Sequence, residues 1–268
     1  MHNLMKEATV VLIILIVAGL TAARTITVDD DNPADFTTIQ AAINDANNGD
    51  TVEIQPGIYT GPRNRNIDFI TGKPITVRST EPNDPNVVEA TIIDCNGLGR
   101  GFRFWGRRYG PDCVLAGLTI INGDTSQGSG ARRGGGICID EYASPTIRSC
   151  RIMGNWANAG GGIYIGIGST SIIDRCVISH NSVWSTWQGQ GGGIYCSASS
   201  EGALISNCIL SNNQASGPSI PYGEGAGLYL SNCPATVRHC TIVNNTAAVA
   251  AGISCNEYAE HIISNCIV

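Results

Sequence analysis

The residues of this 268-residue chain best suited to chemistry are three tyrosines at equivalent places in a repeat and the insertions beside them. Tyr164, Tyr195 and Tyr229 each sit in the middle of a short apolar strand. If Ile163 and Ile165 point inward, Tyr164 points outward, and the same holds for the other two. The insertions 123–133, 182–190 and 214–224 all precede these strands, and bring Arg132, Arg133, Trp184, Trp187, Tyr222 and Glu224 alongside the tyrosines. Flat amphipathic rings facing solvent suit stacking against sugar faces. Arginine beside them suits the carboxylates of an acidic polysaccharide, which it grips in bidentate fashion. The plainer reading is that stacked outward tyrosines only stabilise their sheet.

Catalytic groups are harder to find. Glycoside hydrolysis needs two carboxylates across the scissile bond. Asp140 and Glu141 stand together at a strand end and Glu224 on a neighbouring insertion, but no spacing makes them a pair, and solvated turn acids are commoner. Arg132 or Arg133 is the available base. His180 and His239 fall at turn positions. The sequence has no His-Glu-x-x-His, phosphate loop, nucleophile elbow or Cys-x-x-Cys pair, so no metal ligand set is predicted.

What must position these residues is an internal repeat. Gly134-Gly-Gly-Ile137 recurs as Gly160-Gly-Gly-Ile163 and Gly191-Gly-Gly-Ile194, and more loosely as Gly225-Ala-Gly-Leu228 and Ala250-Ala-Gly-Ile253. A second motif alternates with it: Ile147…Cys150…Ile152…Asn155, then Ile173…Cys176…Ile178…Asn181. It continues as Ile205…Cys208…Leu210…Asn213 and Val237…Cys240…Ile242…Asn245, and begins again at Ile263…Cys266. Strands this short cannot bury a face alone, and stacking one repeat on the next gives a continuous core. The predicted fold is an all-β, right-handed parallel β-helix, a solenoid whose equivalent strands are parallel neighbours about 4.8 Å apart. Cys150, Cys176, Cys208, Cys240 and Cys266 then fill one inward column as mostly free thiols, because stacked Cβ vectors run parallel. Asn155, Asn181, Asn213 and Asn245 form a turn ladder, their amides bonding to the coils above and below and their backbones tolerating a left-handed turn.

Around this core, residues 24–59 read as an N-terminal cap. It comprises a strand at 25–28, a short helix with a capping box at Thr37 to Gln40 and a stop at Asn48-Gly49, and a strand at 51–54. Between 60 and 112 the repeat is blurred, with strand signals at 74–78 and 90–93, and with Phe102 to Tyr109 both aromatic and basic. Regular coils occupy 113–268. The chain stops at Val268 in mid-strand, before the Asn turn that completes each earlier coil, so a C-terminally truncated chain is expected.

Residues 1–23 have the layout of a signal peptide: a polar start with Lys6, a largely apolar stretch from Ala8 to Leu20, then small residues ending at Ala23. Secretion to the extracellular space or cell surface is the expectation, with no membrane anchor after cleavage. A net charge of −6 with only two lysines argues against nucleic acid as a partner.

With these motifs, the chain resembles the pectin-lyase-like superfamily of right-handed parallel β-helix proteins. Phe36-Thr-Thr-Ile-Gln-Ala-Ala-Ile43 followed by Gly49-Asp-Thr-Val-Glu-Ile-Gln-Pro-Gly-Ile-Tyr59 is similar to the capping helix and first coil common in that group. The resemblance implies an extracellular protein that binds, and as a lyase or hydrolase would cleave, an acidic polysaccharide. Ca²⁺ is the cofactor it implies for a lyase, and none otherwise. The Gly-Gly-x-Ile and Ile-x-x-Asn alternation is also similar to the repeats of polymorphic outer-membrane adhesins, which implies the alternative of a non-catalytic surface protein with a cell-surface glycan as partner.

Overall fold

The computed structural model describes residues 22–69, 72–107, 109–126, 132–185, 189–197, 202–217, 223–255 and 259–268. Residues 1–21, most of the expected signal peptide 1–23, and Trp187 and Tyr222 lie outside them. Within the described residues every named strand pairs in parallel, and the strands fall into four stacked sheets. Sheet I has nine strands, from Thr25–Val28 to Ile262–Ser264. Sheet II has seven, from Ile67–Asp68 to Ile253–Cys255. Sheet III has seven, from Gly57–Tyr59 to Thr241–Val243. Sheet IV has four: Trp156–Ala157, Ser182–Trp184, Gln214–Ser216 and Thr246–Ala247. One full coil runs sheet I, III, IV, II, as in Ile172–Asp174, Val177–Ser179, Ser182–Trp184 and Ile194–Cys196.

Sequence equivalence becomes spatial register. Ile147, Ile173, Ile205 and Val237 are consecutive partners in sheet I, and Ile152, Ile178, Leu210 and Ile242 in sheet III. All eight are buried. Full burial of each such side chain is worth roughly 1.5–3 kcal/mol. The thiols of Cys150, Cys176, Cys208 and Cys240 are buried and free, and Cys266 is half-buried. Each donates toward a carbonyl two residues earlier, as Cys176 Sγ does to Asp174 O at 3.3 Å. Burial, then the neighbouring thiols Cys150 and Cys208, push Cys176 well above the ordinary thiol range.

The asparagine ladder forms as the repeat predicts. Asn181 Oδ1 accepts from the backbone N–H and the Nδ2 of Asn155, both at 3.0 Å. Asn181 Nδ2 donates to Ile152 O and to Asn213 Oδ1. The left-handed residue is not the ladder asparagine but its predecessor: Gly154, His180, Asn212 and Asn244 carry φ of +54° to +63°. This frees the asparagine side chain to point inward and serve three coils.

Several local expectations change. The short helix spans Ile39–Asp45 and ends at Ala46, before Asn48-Gly49. Its start has no side-chain cap from Thr38, and Asn64 Oδ1 accepts the Ile39 N–H instead. Gln40 is spent on Asn44 and on the backbone of Asp68. Ile39, Ala42 and Ile43 nevertheless cover the first coil, as a cap must. A second helix, Pro85–Ala90, forms where only a turn-rich stretch was read; Asp84 caps it by accepting from Asn86 N. Two of the insertions begin as strands of sheet IV, so Trp184 stands on a strand and not on a loop. Cys196 and Cys233, in adjacent coils, form a disulfide that the column logic does not reveal.

Candidate functional site

The tyrosine column exists, and its surroundings define its use. Cys138, Tyr164, Tyr195, Tyr229 and Ser254 are consecutive partners on the outer side of sheet II. The rings lie flat on one another, Tyr164 to Tyr195 at 5.1 Å and Tyr195 to Tyr229 at 5.3 Å between centroids. Their faces are therefore occupied by each other, and the arginine of Arg133 closes the free face of Tyr164 at 5.0 Å. Tyr164 is 3% exposed and Tyr229 7%. The expected solvent-facing platform is thus largely buried at its two ends, with Tyr195 between them half-buried. Burial pushes the Tyr164 hydroxyl up, and raises Tyr229 to about 12 with Glu224 as the next cause.

Those insertion ends converge as the repeat predicts. Arg133, Ala159, Gln190, Glu224 and Val249 bridge in series along one flank. Glu224, half-buried, stands beside Tyr229. Asp140 is on the opposite flank of sheet II, three coils away, which is about 14 Å along the axis alone. That is too far for the two carboxylates of a glycosidase. Nor is Asp140 a solvated turn acid. It is 2% exposed, and its Oδ1 accepts from Glu141 N and Ile167 N at 2.9 and 3.1 Å. Its role is to fix the turn. Arg132 is exposed, and Trp184 is 44% exposed on the outer side of sheet IV. Among the described residues, no three His, Cys, Asp or Glu side chains group as metal ligands.

A different set comes together at the N-terminal end of sheet II. In Phe102–Trp105 the alternation puts Phe102 and Phe104 in the core, so Arg103 and Trp105 face outward two residues apart. Register sets Arg103 beside Cys138 and Trp105 beside Asp140. Arg133 reaches across the next strand, with Nη1 3.7 Å from Asp140 Oδ2. Arg103 is held by a two-pronged pair with Asp68 at 2.7 and 2.9 Å, which raises its pKa further, and 43% of its side chain remains exposed. Arg100 donates to the carbonyls of Gly134 and Arg133, tying the flank to the sheet. Trp105 is 47% exposed, and beyond it Arg107 lies 3.9 Å over the ring of Tyr142, which is also exposed. Beneath them burial raises the Cys138 thiol to about 11, so it stays neutral. On a chain of net charge −6, arginine and exposed indole thus share one rigid face. Of these, the sequence singled out Phe102 to Tyr109 by composition; what it lacked was the register that sets Arg103 beside Cys138 and Trp105 beside Asp140, the carboxylate that Arg133 reaches.

Comparison with known proteins bears on the fold. A family described as right handed beta helix region matches residues 107–268. The chain belongs to that family. Among solved structures, this β-helix is similar to pectate lyase Pel9A, with a TM-score of 0.54 and 16% identity over 85% of this chain and 55% of the lyase. It therefore spans little more than half the length of that enzyme. It is similar also to the pectin methylesterase from Aspergillus niger, with a TM-score of 0.48 and 12% identity over 90% of this chain and 84% of the other. No curated protein sequence matches. At these identities the likeness is one of fold. Among the described residues, no helix is long and apolar enough to cross a membrane.

Proposed function

We propose that this β-helix is an exported protein that binds an acidic polysaccharide across the N-terminal coils of sheet II. The observation that carries the reading is the shared outward face of Arg103, Trp105 and Arg133. A uronate presents a carboxylate and an apolar ring face. Guanidinium groups bind the first and an indole the second. Both arginines are held by a carboxylate and by the sheet, so little rotamer freedom is lost on binding. The tyrosine stack serves as the rigid floor beside this face. Two features support export: the leader-like layout of residues 1–23, and the Cys196–Cys233 disulfide, a bond of oxidising compartments. The pectate lyase with the similar fold acts on a polymer of this kind, in keeping with the reading.

Calorimetric titration with hexagalacturonate tests it. Arg133→Ala and Trp105→Ala are each expected to weaken binding about tenfold, the worth of one exposed charged or stacking contact. Half-molar salt should weaken the wild type through screening. Absence of binding by the wild-type chain, or full affinity in both variants, overturns the proposal. Release of unsaturated uronate, measured with and without Ca²⁺, decides whether the bound polymer is also cut.

A further inference from the structure

A second surface, away from sheet II, has the makings of a different site. Where sheet III turns into sheet IV, a cleft of about 560 Å³ is lined by Asn96, Asn122, Asp124, Ser126, Gly154 and Trp156. Its size lies within the range of small-ligand clefts. Asp124 and Trp156 are bridge partners in adjacent coils, so carboxylate and indole project from the same side, one strand spacing apart. The turn is stiff. Asp124 Oδ1 accepts from Ser126 N at 2.7 Å, and Asp94 Oδ1 holds both Asn122 Nδ2 and Asn96 N. The corner position that carries Asn122, His180, Asn212 and Asn244 in other coils is glycine at 154, with φ +63°. The missing side chain opens the space directly before Trp156.

We infer that this cleft binds a neutral pyranoside, with its ring on Trp156 and its vicinal hydroxyls on Asp124 and the carboxamides of Asn96 and Asn122. An indole wall with carboxylate and amide groups matches the apolar face and hydroxyl rim of a sugar. The carboxylates of Asp94 and Asp124 repel a uronate, so this site and the arginine face of sheet II select opposite classes of saccharide. The chain then holds two different sugars on two faces of one rigid rod, as suits a mixed cell-wall polymer with acidic and neutral stretches.

Gly154→Asn is the decisive variant. Asparagine adopts the required φ at three equivalent corners, and a Cβ at Gly154 meets nothing nearer than Asn122 Oδ1 at 3.8 Å. The fold should therefore persist, as circular dichroism checks, while the cleft is filled. Titrations use cellohexaose, xylohexaose and galactohexaose as neutral probes and hexagalacturonate as the acidic one. At least one neutral probe is expected to bind the wild type. Gly154→Asn and Trp156→Ala should each weaken that probe about tenfold or more and leave hexagalacturonate unchanged. Trp105→Ala should do the reverse. Failure of all three neutral probes to bind, or wild-type affinity in Gly154→Asn, overturns this inference without touching the sheet II reading.

Discussion

Replacing Asn181 with alanine measures what the polar ladder contributes to a stack of coils. The side chain is buried and makes four hydrogen bonds, two accepted from Asn155 and two donated to Ile152 O and Asn213 Oδ1. Two of these partners keep an alternative: Asn155 Nδ2 still donates to Ile120 O, and Asn213 Oδ1 still accepts from the Asn181 N–H. The Asn155 N–H loses its partner away from water, while the Ile152 carbonyl keeps its place in the sheet III ladder. At about 1–3 kcal/mol for such an orphaned group, Asn181→Ala should cost about 1–3 kcal/mol, a sizeable part of a domain's usual 5–15 kcal/mol. Urea titration followed by circular dichroism reads this as a lowered midpoint at unchanged slope. Asn245→Ala is the control: its ladder position is half-buried, so water can replace the lost partner and the cost should be clearly smaller. A loss under about 1 kcal/mol at Asn181, or equal losses at both positions, refutes the view that buried amides hold the coils together.

Tyr195→Ala removes two ring contacts and should cost about 1–3 kcal/mol, while hexagalacturonate affinity stays within about twofold because the ring faces are already spent on each other. A large affinity loss without a stability loss contradicts that assignment. The Cys196→Ala/Cys233→Ala pair frees a loop of 37 residues and should lower stability by about 4 kcal/mol on the loop-entropy account, read by calorimetric melting; an unchanged melting temperature contradicts it. Cys138 and Cys95 are raised by burial to about 11 and about 12 from an ordinary value near 9. The unfolded chain loses these protons first, so their contribution is complete below pH 9 and falls by about 1.4 kcal/mol per group per pH unit above it. Stability that is flat from pH 9 to 11 speaks against their burial.

The repeat made most of the fold legible, because a period in sequence becomes a column in space. The cysteine and asparagine positions, the inward Ile and Leu, and the outward tyrosines all follow from it. Local geometry was less readable. The left-handed corner falls one residue before each ladder asparagine, at His180 as readily as at Asn212, because what matters there is the turn and not the amide. Outward was mistaken for exposed: Tyr164 faces away from the core yet is covered, since Tyr195 stacks on one face and Arg133 closes the other. Trp184 looked like loop because Ser182–Trp184 is only three residues long and opens a polar, glycine-containing insertion; it is a strand because its neighbours in the adjacent coils pair with it. Arg103 and Trp105 escaped placement because the coils near them are of unequal length: Asp68, Arg103 and Cys138 stand side by side at 35-residue intervals, against 26 between Cys138 and Tyr164.

The most direct test is to locate a bound hexagalacturonate in a crystal of the complex. The account predicts a sugar ring against Trp105 and a carboxylate within hydrogen-bonding distance of the Arg133 or Arg103 guanidinium. A ligand seated on another face of the rod, with Trp105 and both arginines untouched, contradicts it.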